Sequence, residues 1–269
     1  MSVQMEIVCV GNELLIGKTL NTNAQWLARR ATSLGVIVKR IIVVGDDVEE
    51  IASTIREALQ RKPRFIITTG GLGPTFDDKT LEGIAKALNR KLVLNEKALK
   101  MVEEKYEVYA KEGKFDKLEM TPPRVKMATL PEEAEPLPNP IGTAPGVLLK
   151  VDGTYLIALP GVPSEMETIF EESVATLLRK EAGDVMFFEA SIYIEGVMES
   201  TLAPMIDEVM RSNPYVYIKS HPKAEEKKPH IEIHLSTTAR DSETAKNRLG
   251  KAIIQLSELI KAEGGRVKV

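Results

Sequence analysis

The chain has 269 residues, 43% of them apolar and 28% charged, which suffices for one large domain or for a large and a small one. A net charge of -3 leaves no global field to gather nucleic acid, and a single cysteine, Cys9, excludes an internal disulfide framework. No stretch is apolar for long enough to span a bilayer, and the N-terminus enters a strand without a basic, apolar leader, so a cytoplasmic protein without a membrane partner is expected.

In chain order, the pattern predicts a first strand at 6–10, with Cys9 as a small buried residue of that strand, and then a loop at 11–21. A helix over 24–34 places Trp26, Leu27, Arg30 and Leu34 in step and ends at Gly35. A second apolar strand covers 36–44. Asp47 and Glu50 then open a helix that ends near Gln60. A third strand, 64–69, runs into Gly70, Gly71 and Gly73, followed by Pro74. Helical spacing resumes at Asp77 or Asp78, with Leu81, Ile84, Ala85 and Leu88 on one face. Strands that alternate with helices imply parallel βαβ units, and strands this apolar imply helices on both faces of the sheet. The fold class expected is therefore α/β, a three-layer, mostly parallel sheet.

Glu96–Lys111 reads as a long helix capped by Asn95 and stopped by Gly113. The proline-rich stretch 115–146 resists assignment, although the density of Pro and Gly in 138–146 gives it a defined turn structure. Strands at 147–151 and 155–159 flank Asp152-Gly153, a hairpin signal. Pro163 then sits in the first turn of a helix that reaches Leu178. Composition shifts after Gly183. A strand at 187–195, a helix at 201–211, a strand pair at 215–220 and 230–236 and a long helix at 241–262 make a β-α-β-β-α unit. The domain boundary is expected between 183 and 184.

The strand, glycine turn and helix start around Gly71 are where an α/β sheet places an anion. Thr69 ends that strand and offers a hydroxyl to phosphate. Asp77 and Asp78 lie beside it. A single aspartate is explained by helix capping, but a like-charged pair beside a phosphate site suggests a divalent metal, with Glu82 one turn further on as a weaker ligand. Asp46 ends the second strand and faces either the same cleft or solvent. Glu13, Asn21 and Asn23 are polar groups on loops near strand ends, and Ser164 and Glu165 either cap their helix or line the pocket.

Two other patterns are weighed and set aside. Gly11 to Thr19 resembles a phosphate-binding Walker loop but has five residues between its glycines instead of four, with Leu14 and Leu15 where backbone must wrap phosphate. His230, Glu232 and His234 share one strand face and offer three ligands, yet a half-buried strand with a polar outer face explains them better. No Ser-His-Asp or Cys-His arrangement is convincing, because every histidine lies in the small domain.

Together, GNELLIGKTLNTN at 11–23, VGDD at 44–47, TTGGLGPTFDDKT at 68–80, LPNPIGTAPG at 137–146 and LPGVPSEM at 159–166 resemble the N-terminal domain of CinA proteins, within the molybdopterin-binding fold of MoaB, MogA and the MoeA third domain. Asn12 departs from the Thr of many CinA proteins. The chain stops at Val269, where bacterial CinA continues into a nicotinamide mononucleotide amidase domain, so a stand-alone form without that activity is expected. The resemblance implies either metal-dependent hydrolysis of ADP-ribose to AMP and ribose 5-phosphate, with Mg2+, Mn2+, Co2+ or Ni2+, or pterin binding with adenylylation. A non-catalytic nucleotide-binding protein is a third reading. In the hydrolytic reading Gly70, Gly71, Gly73 and Thr69 hold the diphosphate. Asp77 and Asp78 hold metal, and Asp46 joins as ligand or base. Glu13, Asn21, Asn23, Asn139, Gly142, Gly161, Pro163, Ser164 and Glu165 shape the nucleotide pocket. The resemblance also implies homo-oligomers.

Overall fold

The computed structural model describes residues 3–112, 119–183, 185–223 and 230–268. They divide into two compact units, Met1–Thr32 with Val36–Ala182 and Ser33–Gly35 with Gly183–Val269. No helix of the described residues is long and apolar enough to cross a membrane.

In chain order the first unit contains β1 (Gln4–Val10), α1 (Asn12–Leu15), α2 (Thr22–Ser33), β2 (Ile37–Val44), α3 (Val48–Gln60), β3 (Phe65–Thr69), α4 (Thr80–Ala87), β4 (Leu92–Leu94), α5 (Glu96–Lys111), α6 (Pro122–Lys126), β5 (Thr129–Pro131), β6 (Glu135–Leu137), β7 (Gly146–Val151), β8 (Thr154–Leu159), α7 (Pro163–Ile169) and α8 (Ala175–Ala182). A π-helical turn at Phe170–Val174 joins α7 to α8. The main sheet runs β2-β1-β3-β8-β7-β6; β2, β1, β3 and β8 are parallel, while β7 and β6 alternate antiparallel at one side. Side chains of successive strand residues point to opposite faces, so each apolar strand fills two cores. Val8, Val10 and Ile66 join Ile51 and Ile55 of α3, Ile84 of α4 and Val102 of α5 in one of them. Ile7, Cys9, Phe65 and Ile67 take the other face, where α2 and α7–α8 contribute the buried Leu27, Met166, Phe170 and Leu178. There Trp26 of α2 meets Phe170 edge to face at 5.3 Å, and Arg30 of α2 pairs with Glu171 at 2.8 Å.

Three sequence expectations change. The helix after the glycine turn starts at Thr80, not at Asp77 or Asp78; its cap position is Lys79 and carries no side-chain cap. The stretch 115–146 is structured where it is described, with α6 and the three-residue strands β5 and β6; β5 pairs with β4 in a separate two-stranded sheet. The helix opened by Pro163 continues past Leu178 to Ala182. The expected stop at Gly113 lies outside the described residues. The Asp152-Gly153 hairpin forms as read, with φ of 45° and 89° at the two turn residues, the left-handed pair that matches the twist of the strands.

The second unit holds β9 (Met186–Glu195), α9 (Glu199–Ser212), β10 (Val216–Lys223), β11 (His230–Ala239), α10 (Ser242–Ala262) and β12 (Arg266–Lys268), with sheet order β10-β11-β9-β12. The last strand is an addition to the β-α-β-β-α pattern. Ile192, Ile194, Ile218, Ile231 and Ile233 alternate toward a core shared with Leu202 and Leu256 of the two helices.

Candidate functional site

The glycine turn is built by contacts that only glycine tolerates. Gly70 and Gly71 have φ of 104° and 65°, and a Cβ added to them would lie 2.2 Å from the Val10 carbonyl oxygen and 2.3 Å from Thr80 Oγ1. Thr80, fully buried at the start of α4, locks the turn: its hydroxyl donates to the Gly70 carbonyl at 2.7 Å and its N–H to the Gly71 carbonyl at 3.1 Å. The Gly70 N–H donates to Leu159 O at 3.1 Å, extending the β3–β8 ladder, so Gly70 shapes the turn but does not offer its N–H to a ligand as expected. The N–H groups of Gly71, Leu72 and Gly73 donate to no group among the described residues.

These groups border a cavity of about 450 Å³ at the carboxyl ends of β1, β2, β3 and β8. It gathers Glu13, Asn21, Asn23, Asp46, Thr69, Gly70, Gly71, Gly73, Asp77, Asp78, Gly161, Pro163 and Glu165, segments that lie far apart in the chain. Asn23 forms its floor. Its amide donates to Thr69 Oγ1 at 2.9 Å and to Gly161 O at 2.8 Å, while its Oδ1 is buried without a hydrogen-bond partner. Thr69 donates in turn to Pro160 O at 2.9 Å, so its hydroxyl ties β3 to the 160–163 turn. Asn21 Oδ1 accepts from Ala24 N at 3.1 Å, a cap for the start of α2.

The acidic residues differ from one another. Asp77 and Asp78 do not cap α4; both carboxylates converge on the Thr75 hydroxyl, and Asp78 also accepts from Thr75 N at 2.8 Å. Lys126 reaches from α6 to the Thr75 and Asp78 carbonyls, the latter at 2.7 Å. The Thr75 hydroxyl holds the Asp77 carboxyl below the usual carboxylate range, and Lys126 and Lys79 add to the effect. Asp46 faces the cavity, yet its carboxylate accepts from Asn12 N at 2.8 Å while Asn12 Oδ1 accepts from Asp46 N at 3.3 Å. Glu82 sits in the first turn of α4 and lines a neighbouring cavity instead. Among the described residues no three carboxylate, histidine or cysteine groups gather closely enough to hold a metal, so neither Glu82 nor Asp46 completes a three-carboxylate cage with Asp77 and Asp78. The pair itself presents hard oxygen donors to the cavity, the chemistry a Mg2+-type ion accepts when substrate phosphate and water supply the remaining ligands.

Three expected pocket residues do not line the cavity. Asn139 donates to Glu165 Oε2 at 2.7 Å and to Ala144 O at 2.8 Å, and accepts from Gly142 N at 2.8 Å. It orients Glu165, and Gly142 leaves room for that carboxylate, which would overlap any Cβ there at 1.9 Å. Ser164 is exposed, and its carbonyl accepts from Thr168. Thr75, Thr80 and Lys126 were not singled out from sequence: their importance arises from contacts across the fold, and a lone Thr or Lys carries no local pattern. Cys9 is buried, and burial pushes its thiol up, as suits a packing residue. His234 Nε2 lies 3.1 Å from a Glu189 carboxylate oxygen on the neighbouring strand β9, a partner within the small sheet.

A family model described as a probable molybdopterin binding domain matches residues 6–180. The chain belongs to that family. The matched span contains every residue of the cavity. Among curated relatives, a protein of Sulfurisphaera tokodaii is 47% identical over 263 residues, 97% of either chain, and one of Pyrobaculum calidifontis is 49% identical over 258 residues, 96% of this chain and 95% of its own. Among solved structures, the protein CinA of Thermoplasma acidophilum is 42% identical and superposes with a TM-score of 0.57, covering 62% of this chain and 94% of its own. The family domain is an α/β fold with a mostly parallel sheet, as expected, and the CinA resemblance read from the motifs holds.

Proposed function

We propose that the chain is a metal-dependent pyrophosphatase that cleaves ADP-ribose, or a related dinucleotide, to AMP and a sugar phosphate. The observation that carries this reading is the pairing of the unengaged N–H groups of Gly71, Leu72 and Gly73 with two carboxylates on the wall of one cavity. Backbone N–H groups in a left-handed glycine turn suit phosphate oxygens. Carboxylates beside them repel an anion unless a cation intervenes. Asp77 and Asp78 are the residues that would hold a divalent ion; when bound it supplies Lewis acidity, neutralising phosphate charge and acidifying water. The chain's own groups do the rest. Thr75 fixes the two carboxylates, Lys126 holds the backbone of the loop that carries them, Thr80 holds the turn open, and Asn23 offers its unpartnered Oδ1 to a hydroxyl or amine of the ligand.

A second reading rests on the family itself, whose model is described as a probable molybdopterin binding domain: the cavity holds a pterin phosphate, with or without adenylylation. The deciding experiment incubates the pure protein with ADP-ribose and Mg2+, Mn2+, Co2+ or Ni2+ and follows AMP release. Turnover that needs metal is expected. A metal ligand matters at least as much as the groups that orient it, so Asp77→Asn and Asp78→Asn each lower turnover by more than about 10-fold. No turnover with any of the four ions, together with tight molybdopterin binding, would favour the second reading. Unchanged turnover in both variants would remove the metal assignment.

A further inference from the structure

A second cavity, of about 540 Å³, lies across the glycine turn from the first. The two share Gly71, Leu72, Gly73 and Asp78, so whatever lies on the turn has an opening on either side. Their walls differ in kind. The first is polar and acidic; the second is formed by Leu81, Leu92, Met120, Pro122 and Val125. Its polar groups are nearly all engaged. Thr129 donates to Val125 O at 3.0 Å and Lys126 to Asp78 O at 2.7 Å. Glu82 is the exception: this carboxylate, exposed on α4, makes no hydrogen bond or ion pair with any described residue.

We propose that this cavity receives the heterocyclic base of the ligand whose phosphates lie on Gly71–Gly73, with Glu82 accepting from the base's exocyclic amine. The occupant follows from the lining. Apolar walls suit the faces of a flat ring, and a lone carboxylate selects a ring that carries N–H donors. A phosphorylated sugar without a base has nothing to place there and stays in the polar cavity. The inference rests on the nucleotide reading above and adds to it a division of the ligand: base on the α6 side of the turn, sugar phosphate on the α2 side.

Equilibrium binding separates the two, with AMP and ribose 5-phosphate as probes in the presence of Mg2+. Glu82→Ala, which removes no hydrogen bond or ion pair among the described residues, and Leu92→Trp, which fills the cavity, each weaken AMP by about tenfold or more and change ribose 5-phosphate by less than about twofold. In the wild type, the Met120 methyl resonance shifts on adding AMP and not on adding ribose 5-phosphate. Three outcomes overturn the proposal: no AMP binding by the wild type, AMP binding indifferent to both variants, or equal weakening of the two probes by Glu82→Ala. The readout is independent of turnover. Glu82-dependent AMP binding without ADP-ribose cleavage would keep the base pocket and discard the hydrolase; cleavage with AMP binding indifferent to Glu82 and Leu92 would do the reverse.

Discussion

Gly71 and Thr80 show how one residue pair decides whether the site exists. Alanine at position 71 would keep an L-residue at φ 65° and drive its Cβ into Thr80 Oγ1, so Gly71→Ala is expected to lower stability by about 1–2 kcal/mol from backbone strain alone and to weaken phosphate binding in parallel. Thr80→Val keeps the shape and removes the hydroxyl, leaving the Gly70 carbonyl without its buried donor; a loss of about 1–3 kcal/mol in a urea titration is expected. If Thr80→Val were neutral, the turn would be held by sterics and not by that bond. Glu6 is a second residue whose role is tertiary. It is 1% exposed at a register shift in β1 and bonds Arg61 at 2.8 Å and Arg40 at 3.1 Å. Its partners keep some solvent, so Glu6→Ala should cost about 2–3 kcal/mol, less than breaking a pair buried on both sides. Of these residues the glycines were legible in the sequence, because only a left-handed turn makes sense of three in four positions. Thr80 and Glu6 were not, since a threonine and a strand glutamate look ordinary until their partners, distant in sequence, are brought to them.

At the scale of elements, what was legible is what is encoded locally. Asp47 caps α3, accepting from Glu49 N at 2.9 Å and Glu50 N at 3.0 Å, and Asn95 caps α5, accepting from Ala98 N at 3.0 Å. Both caps were read from spacing alone. The start of α4 was misread because an aspartate before a helical run is usually its cap, and here the two aspartates turn back to Thr75 instead. The three-residue strands β4, β5, β6 and β12 were missed because so short a run carries no period, and only its pairing partner defines it. The caps give two tests. Asn95→Ala should destabilise by about 1–2 kcal/mol, seen as a lower urea midpoint without a changed slope. Asp47 carries a pH signature. The Glu50 N–H above all, then Glu49 N–H, Lys79 and Lys86, hold its carboxyl below the usual range in the folded chain. Its contribution is therefore full at neutral pH, above the unfolded value, and is lost as the pH falls through the folded value. Asparagine caps nearly as well and does not titrate. Asp47→Asn should be slightly less stable than the wild type at pH 7 and gain on it at pH 3; a difference constant between those pH values would show that this cap does not contribute to the acid response.

At the scale of the whole chain, the sequence established alternation of strands and helices but not the order in the sheet. That β8 lies beside β3, and thereby brings the 160–165 turn to the glycine turn, depends on a hairpin whose second strand runs parallel to β3 while its first runs antiparallel. Nothing local specifies that choice; the fully buried Phe65, Ile66 and Ile67 opposite Tyr155, Leu156 and Ile157 do. The consequence is a cavity whose every lining residue lies between Val10 and Glu165, within the first unit. The second unit has its own core, in which Ile233 of β11 is wholly buried. Ile233→Ala removes three carbons from that core and should lower its stability by about 2–5 kcal/mol, measured as an earlier loss of its ordered amide signals on heating. Under the proposed function, turnover of ADP-ribose per folded molecule, measured below that transition, should be unchanged. A fall in kcat/KM under those conditions, with the first unit's amide signals intact, would mean that catalysis draws on residues beyond the cavity at the glycine turn.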